Sequence, residues 1–264
     1  MPGPGVCSER FMLVGPERVF YAGLLGRPKR RTLGSLIVFA SMHGGLRLSV
    51  AGEPDRLVEA AVMPAYREHS IEPEHPSVIG VLIEPESVEP LALARLAGEL
   101  GALEEGELAA RLRAAHARLR EMPLKHRASS ADFDIAVFGA PLPPRSLDGR
   151  IARVLAALRD QPGEAFSAAD CAAMVNLSVS RFLHLFKQET GIAFRACRAW
   201  KRARHLLNFA NETINMAHLA LDIGYPDSTH FSHSIRRFYG LQPRAIFSGS
   251  RQLEIFRSEA GARP

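Results

Sequence analysis

Two segments of this chain repeat one plan, a short helix, a turn and a capped second helix, and this repeat constrains the fold more than any other feature. The first unit is residues 167–191 and the second unit is residues 215–240. A small residue lies where the paired helices must approach closely, Ala172 in the first unit and Ala220 in the second. A helix braced in this way can present polar side chains to the major groove of DNA. The same spacing occurs in ordinary helical bundles, so periodicity alone leaves both interpretations open.

Residues with special backbone preferences occupy the turns of both units. In the first unit Asn176 stands where the chain needs a left-handed conformation, and Ser178 is predicted to cap the following helix. In the second unit Gly224 is predicted to make the turn and Asp227 to cap the helix. The units are joined by one more predicted helix, over residues 196–208.

The residues themselves resemble a known family. Residues 177–191 (LSVSRFLHLFKQETG) and 219–243 (LALDIGYPDSTHFSHSIRRFYGLQP) are similar to the two helix-turn-helix units of AraC/XylS regulators, and residues 203–207 match the linker helix of that family. The resemblance covers roughly residues 148–250. This sequence departs from the family pattern at His184 and His233, where many members carry Arg, and at Tyr225 and Ile235, which replace Phe.

The resemblance implies how the chain meets DNA. Each monomer is expected to place two recognition helices in successive major-groove segments, about one helical turn apart. Only Arg181 among the expected base readers can make a bidentate contact with guanine. The expected base readers are Ser180, Arg181 and His184 in the first unit and Ser228, Thr229, His230 and His233 in the second. The expected phosphate contacts are Lys187, Arg198, Lys201, Arg202 and Arg236.

The distribution of charge agrees with a polyanion partner for one half of the chain. Residues 145–264 carry 17 basic and 10 acidic residues, a balance of +7. The first 144 residues carry 16 basic and 18 acidic residues, a balance of −2. Such asymmetry indicates that the C-terminal half binds nucleic acid, although a basic solvated surface is the alternative interpretation.

The N-terminal part has the pattern of a β domain followed by helices. Short apolar segments at 11–14, 19–24, 36–40, 46–50 and 78–83 are separated by Gly and Pro residues, which favours a sandwich or small barrel. Apolar residues at helical spacing then predict a helical hairpin over 91–122, packed on the β domain or on a second subunit. Residues 123–147, with a cluster of three prolines, are predicted to be irregular.

The N-terminal part also holds candidates for effector binding. It resembles the cupin-like sensor domain of the family, but no H-x-H pair accompanies His69, so neither a metal nor a cofactor is expected. Residues 27–31 (RPKRR) make an anion site plausible, with a basic solvated loop as the alternative. Their spacing is similar to the PilZ motif for cyclic di-GMP, although Phe39 stands in the place of its acidic residue. The expected effector contacts are Arg27, Arg30, Arg31, Ser41, Tyr66 and His69.

Together these features predict an α+β chain: a small N-terminal β half-barrel with a helical hairpin, then an all-α domain of two helix-turn-helix units joined by a long helix. The expected bounds are 1–140 for the sensor domain, 141–147 for a linker, 148–250 for the DNA-binding domain and 251–264 for a tail.

The expected function is that of an effector-responsive transcription regulator, an activator by resemblance, and not an enzyme. Its expected partners are double-stranded promoter DNA, RNA polymerase, a second copy of the chain and a small-molecule effector. A constitutive DNA-binding dimer and a cupin enzyme with an accessory DNA-binding module are the alternatives. No apolar stretch reaches the ~20 residues of a membrane span, no signal peptide is recognised at the N-terminus, and no C-x-x-C pair occurs among the three cysteines. A bacterial cytoplasmic location at the nucleoid is therefore expected.

Overall fold

The computed structural model describes residues 9–23, 29–75, 77–122, 129–161, 163–164 and 166–257. Its N-terminal part holds two sheets, one ordered β6-β3-β8-β2-β1-β9 and the other β5-β4-β7. The strands are β1 (Phe11–Val14), β2 (Arg18–Gly23), β3 (Leu36–Ser41), β4 (Leu46–Val50), β5 (Arg56–Val58), β6 (Ala60–Met63), β7 (His69–Pro73), β8 (Val78–Ile83) and β9 (Glu254–Arg257).

Both faces of the larger sheet are buried along β1, β2, β3 and β8, which explains why these strands are mostly apolar. Along β2, Val19 and Tyr21 point into one core while Phe20 and Ala22 point into another, because successive side chains of a strand face opposite sides. The core containing Phe20 is closed by α1 (Pro90–Ala102), α2 (Glu105–Glu121) and α3 (Ser130–Phe138). The predicted helical hairpin is thus present, and its apolar stripe packs on the sheet.

The prediction that residues 123–147 are irregular is wrong over α3. Ser129 Oγ accepts a hydrogen bond from the backbone N of Asp132, and Gly139 ends the helix in the left-handed conformation with φ 89°. Inside this helix Asp134 forms a buried ion pair with Arg18 of β2, at 2.7 Å. A short helix that is buried on several sides lacks the one-sided apolar stripe on which sequence detection depends. The predicted irregular residues 123–128 lie outside the described residues.

The C-terminal part is helical, as predicted. Its elements are α4 (Gly149–Asp160), α5 (Ala168–Met174), α6 (Val179–Thr190), α7 (Phe194–His205), a 3-10 turn (Leu206–Phe209), α8 (Met216–Asp222), α9 (Ser228–Tyr239) and α10 (Pro243–Ser250). The first unit comprises α5 and α6, and the second comprises α8 and α9.

The last described residues do not form a tail, which corrects the expectation for residues 251–264. Strand β9 pairs in parallel with β1, in the register Phe11 with Glu254 and Val14 with Arg257. Glu254 N also donates to Arg10 O at 3.2 Å. The chain therefore returns to the N-terminal sheet after the second unit. Residues 258–264 lie outside the described residues.

The two helical units sit in different cores. The first unit packs with α4 and the start of α7 around Phe182, Phe186 and Phe194. The second unit shares one continuous core with both sheets, in which Trp200, Phe231 and Phe238 are grouped with strand residues such as Phe39 and Leu48. The boundary predicted near residue 148 therefore does not separate two independent cores.

Candidate nucleic-acid interface

The first unit is held in shape by its caps. Ser167 and Asp170 form a reciprocal capping box at the start of α5. Asn176 has φ 54°, so it adopts the left-handed turn that the sequence predicts. Ser178 Oγ then accepts a hydrogen bond from Arg181 N at 3.3 Å and starts α6. With Phe182 and Phe186 buried against α5 and α7, the opposite side of α6 faces solvent.

The second unit repeats this geometry with different residues. Gly224, with φ 81°, makes the turn, and Asp227 Oδ1 accepts hydrogen bonds from Thr229 N and His230 N, both at 2.8 Å. The other carboxylate oxygen of Asp227 lies 2.8 Å from Nδ1 of His230. Phe231 is buried, so α9 also presents one polar side to solvent.

All expected base readers lie on exposed surfaces, and so do two of the expected phosphate contacts. On α6 the exposed residues include Ser180, Arg181, His184 and Lys187; on α9 they include Ser228, Thr229, His230, His233 and Arg236. Their donors and acceptors are those that read base edges and phosphates in a major groove. The sequence interpretation left out two aliphatic residues of α6, Val179 and Leu183, which are also exposed.

The expected phosphate contact by Lys201 is wrong for this conformation. Lys201 Nζ lies 2.6 Å from Glu84 and also contacts Glu86, and its side chain is only 10% exposed. A lysine in a basic stretch of a helix predicts a solvent-facing position, but this face of α7 lies on the sheet.

Two further expected phosphate contacts are partly buried. Arg198 donates to the carbonyl of Phe166 and lies over the ring of Phe194, at 5.7 Å. Arg202 lies 3.4 Å from the carbonyl of Glu164. On the same helix Arg195 is exposed, and the sequence interpretation did not include it.

A buried ionic cluster joins α7, the helix between the two units, to the sheet. Glu84, at the end of β8, accepts hydrogen bonds from Ser35 Oγ at 2.8 Å and from Trp200 Nε1 at 3.0 Å. Arg204 Nε lies 3.1 Å from the same carboxylate, close enough for an ion pair although its angle does not make a hydrogen bond. Burial raises the pKa of Glu84, but Lys201 and Arg204 outweigh that effect and hold the pKa at about 2. The carboxylate is therefore charged inside the protein.

Backbone hydrogen bonds make a second connection between the parts. Lys29 N donates to Gly240 O at 3.0 Å, and Thr32 N donates to Arg237 O at 2.9 Å. The segment that carries the basic residues thus lies against the C-terminal end of α9. On the other side of this segment, the backbone N of Arg31 donates to the carbonyl of His69 in β7, and the backbone N of His69 donates to the carbonyl of Arg31.

The fold brings only some of the expected effector residues close to one another. Arg31 Nε lies 3.1 Å from Nε2 of His69, and the Tyr66 backbone N bonds to Leu33 O at 2.7 Å. Ser41 is buried and donates to the carbonyl of His43, while Arg30 is exposed and pairs with Glu68. Arg27 lies outside the described residues.

Burial changes the titration of the two residues that do meet. It lowers the pKa of Arg31, and together with the charge of Arg31 it lowers the pKa of His69 to about 4. Among the described residues, no group of three His, Cys, Asp or Glu side chains is arranged to hold a metal ion. Within the same residues, every helix is too short or too polar to cross a membrane.

Comparison with known proteins assigns the C-terminal part. The sequence profile of a family described as a helix-turn-helix domain matches residues 171–248, which contain α6 and the whole second unit. This region is a helix-turn-helix domain of the AraC type. The match agrees with the caps, turns and exposed faces that the structure shows in that part of the chain.

Two relatives with similar sequences match a little over a third of this chain. The transcriptional activator RhaS of Escherichia fergusonii is 35% identical over 106 residues, which are 39% of this chain and 37% of the relative. RhaS of Klebsiella pneumoniae is 33% identical over the same shares of the two chains. The chain therefore spans little more than a third of the length of these relatives.

One solved fold resembles most of the chain. ToxT from Vibrio cholerae has a TM-score of 0.55 with 10% sequence identity, over 88% of this chain and 97% of that chain. A second structure of ToxT gives a TM-score of 0.55 with 11% identity. At this identity the likeness shows the fold alone, a β-sheet domain joined to a helical domain.

Proposed function

We propose that this protein is a sequence-specific DNA-binding transcription regulator. The observation that carries the proposal is the pair of capped helices, α6 and α9, that expose polar rows on an AraC-type domain. Each row combines hydroxyl and imidazole groups with a cation in the last turns, Lys187 on α6 and Arg236 on α9. The similarity to an activator favours activation of transcription at promoters, through contact with RNA polymerase.

The composition of the two rows suggests that one monomer binds weakly. Hydroxyl and imidazole groups make single hydrogen bonds, whereas Arg181 is the one arginine among the expected base readers. A pair of monomers on repeated half-sites would double the number of contacts, so a homodimer is part of the proposal.

Replacing Arg181 by Ala is expected to weaken specific binding and leave nonspecific binding nearly unchanged. The loss should be about 1–3 kcal/mol, because one bidentate base contact disappears. The measurement is a titration of the full chain against a site selected from random DNA and against scrambled DNA. Lys187→Ala is the matched control on the same helix, and it should weaken both complexes alike and reduce the salt dependence. If Arg181→Ala binds the selected site as tightly as the wild type, the assigned role of Arg181 is wrong.

An effector response is the second part of the proposal, and it depends on Arg31. This side chain is 6% exposed, and its Nη2 has no hydrogen-bond partner among the described residues. No acidic side chain within the described ranges forms an ion pair with it. A buried guanidinium without an acidic partner is costly, so a bound anion would stabilise this state.

The position of Arg31 would let an anion act on both parts of the chain. A cavity of about 20 Å³ adjoins Arg31, and its lining includes Tyr21 of β2 and Leu207 and Tyr239 of the helical part. This volume is close to that of one water site, so it admits one oxygen atom of an anion such as a carboxylate or sulfate, whereas a dinucleotide such as cyclic di-GMP does not fit. The burial of Ser41 and the pairing of Arg30 with Glu68 also argue against the dinucleotide.

Small anions are therefore expected to stabilise the wild-type protein through Arg31. At constant ionic strength, exchanging chloride for acetate or sulfate should raise the thermal midpoint of the wild type and of Arg30→Met, whose residue is exposed. Arg31→Met should show only the smaller rise that exclusion of these anions from the surface gives any folded protein, because the buried charge is gone. Differential scanning calorimetry makes the comparison. An equal rise in Arg31→Met would exclude Arg31 as the anion site.

A further inference from the structure

Two branched aliphatic side chains are exposed on the first recognition helix. Val179 is 42% exposed and Leu183 is 39% exposed, and they lie one turn apart on α6. Leaving apolar surface in water is unfavourable. On a helix whose other side is packed around Phe182 and Phe186, this pair contributes nothing to that core.

The position of Leu183 places it among the proposed DNA contacts. It lies three residues after Ser180 and four residues before Lys187, and side chains at these spacings are neighbours on a helix surface. Val179 lies four residues before Leu183 and extends the same edge of the helix. Arg181 lies on the opposite edge of the exposed face, beside His184 and Gln188. The face of α6 therefore has one apolar edge and one polar edge.

The second recognition helix lacks the apolar edge. Counted back from the glycine that ends each helix, Gly191 or Gly240, Leu183 corresponds to Ser232 and Val179 to Ser228. Both helices are capped at equivalent positions and bury the same side, so the fold does not require aliphatic residues at these positions. The difference therefore concerns what each helix contacts.

We infer that Leu183, with Val179 beside it, recognises thymine through its 5-methyl group in the half-site under α6. This inference rests on the proposed DNA-binding function. The thymine methyl is the apolar group that a major groove presents to a protein. Two side chains on one turn make too small a patch for a stable protein partner, which buries about 800 Å² per side. Leu183 is flanked by Ser180 and Lys187, and these polar side chains suit a groove that is lined with base edges and phosphates.

The test uses thymine and its analogue without the methyl group. A preferred site is selected from random DNA with the full chain, and each thymine is then replaced in turn by deoxyuridine. Affinity is measured for the wild type and for Leu183→Ser, which copies the residue at the equivalent position of α9. Leu221→Ser is the matched control, since Leu221 is a leucine on α8 that is 57% exposed and outside the recognition face.

We expect one or two thymines at which deoxyuridine weakens wild-type binding, by about fourfold for each methyl group buried. Leu183→Ser should bind the thymine and deoxyuridine sites equally at those positions, whereas Leu221→Ser should behave as the wild type does. Two outcomes overturn this inference alone. In the first, deoxyuridine weakens the binding of the wild type and of Leu183→Ser by the same factor. In the second, deoxyuridine weakens the binding of neither protein. Failure to select any preferred sequence overturns the proposed function and this inference with it.

Discussion

Glu84→Ala is expected to destabilise the folded chain by about 3–5 kcal/mol, because it removes the carboxylate that several buried donors share. Ser35 Oγ and Trp200 Nε1 would lose their acceptor, and Arg204 would lose its ion-pair partner. Lys201 would retain Glu86. Because these groups come from both the sheet and α7, the attachment of α7 to the sheet should weaken, and with it the packing of Trp200 against Phe238 of the second unit.

Urea unfolding followed by tryptophan fluorescence is a direct measurement, since Trp200 is the single tryptophan and lies in this cluster. Glu68→Ala is the matched control, because Glu68 pairs with Arg30 on the exposed surface. An exposed pair contributes at most about 1 kcal/mol. Equal shifts of the unfolding midpoint in the two variants would show that the buried cluster does not stabilise the contact between α7 and the sheet.

Gly240→Ala is expected to be much more destabilising than Gly191→Ala, although the two glycines end equivalent helices. Both have positive φ, 69° and 75°, so both substitutions incur a left-handed penalty of about 1–2 kcal/mol. A Cβ on Gly191 would meet no atom within 4 Å, whereas a Cβ on Gly240 would lie 2.3 Å from the carbonyl oxygen of Lys29. Backbone cannot rotate out of the way as a side chain can, so the clash should add about 1–3 kcal/mol.

The difference between the free energies of unfolding of the two variants measures the contact between residues 29–32 and the end of α9. Gly191→Ala serves as the control for the backbone conformation itself. Should both variants lose the same stability, residues 29–32 would not press against the end of α9 in solution. A larger loss of stability in Gly240→Ala would support this contact, through which an anion at Arg31 is proposed to affect α9.

These contacts give the two helix-turn-helix units different surroundings. The second unit is attached to the sheets through the backbone of Lys29 and Thr32 and through the core that it shares with them, and strand β9 follows it in the chain. The first unit has its own core and is connected through α4 and α7. A change near Arg31 would therefore reach α9 before α6. The proposed effector would accordingly act on the placement of the two proposed recognition helices relative to each other.

Local signals in the sequence determined the helical units correctly. The left-handed conformation of Asn176, the caps at Ser178 and Asp227 and the turn at Gly224 depend on a few neighbouring residues, and the structure shows each of them. The same holds for strands such as β4 and β8, whose bounds agree with the predicted segments. The roles of the exposed residues in DNA binding stay predictions.

The long-range contacts could only be decided by the tertiary structure. Lys201 has the sequence context of a surface lysine on a helix, yet it lies in a buried cluster because Glu84 is brought to it from more than 100 positions away in the chain. Helix α3 and strand β9 escaped prediction for a related reason: each is short, and each is stabilised by distant partners, Arg18 and β1. Periodicity and capping report only on neighbours along the chain. The sequence by itself therefore determined the two helix-turn-helix units, and the tertiary structure decided that the second of them shares a core with the N-terminal sheets, because burial and ion pairing are set by residues that meet only in the fold.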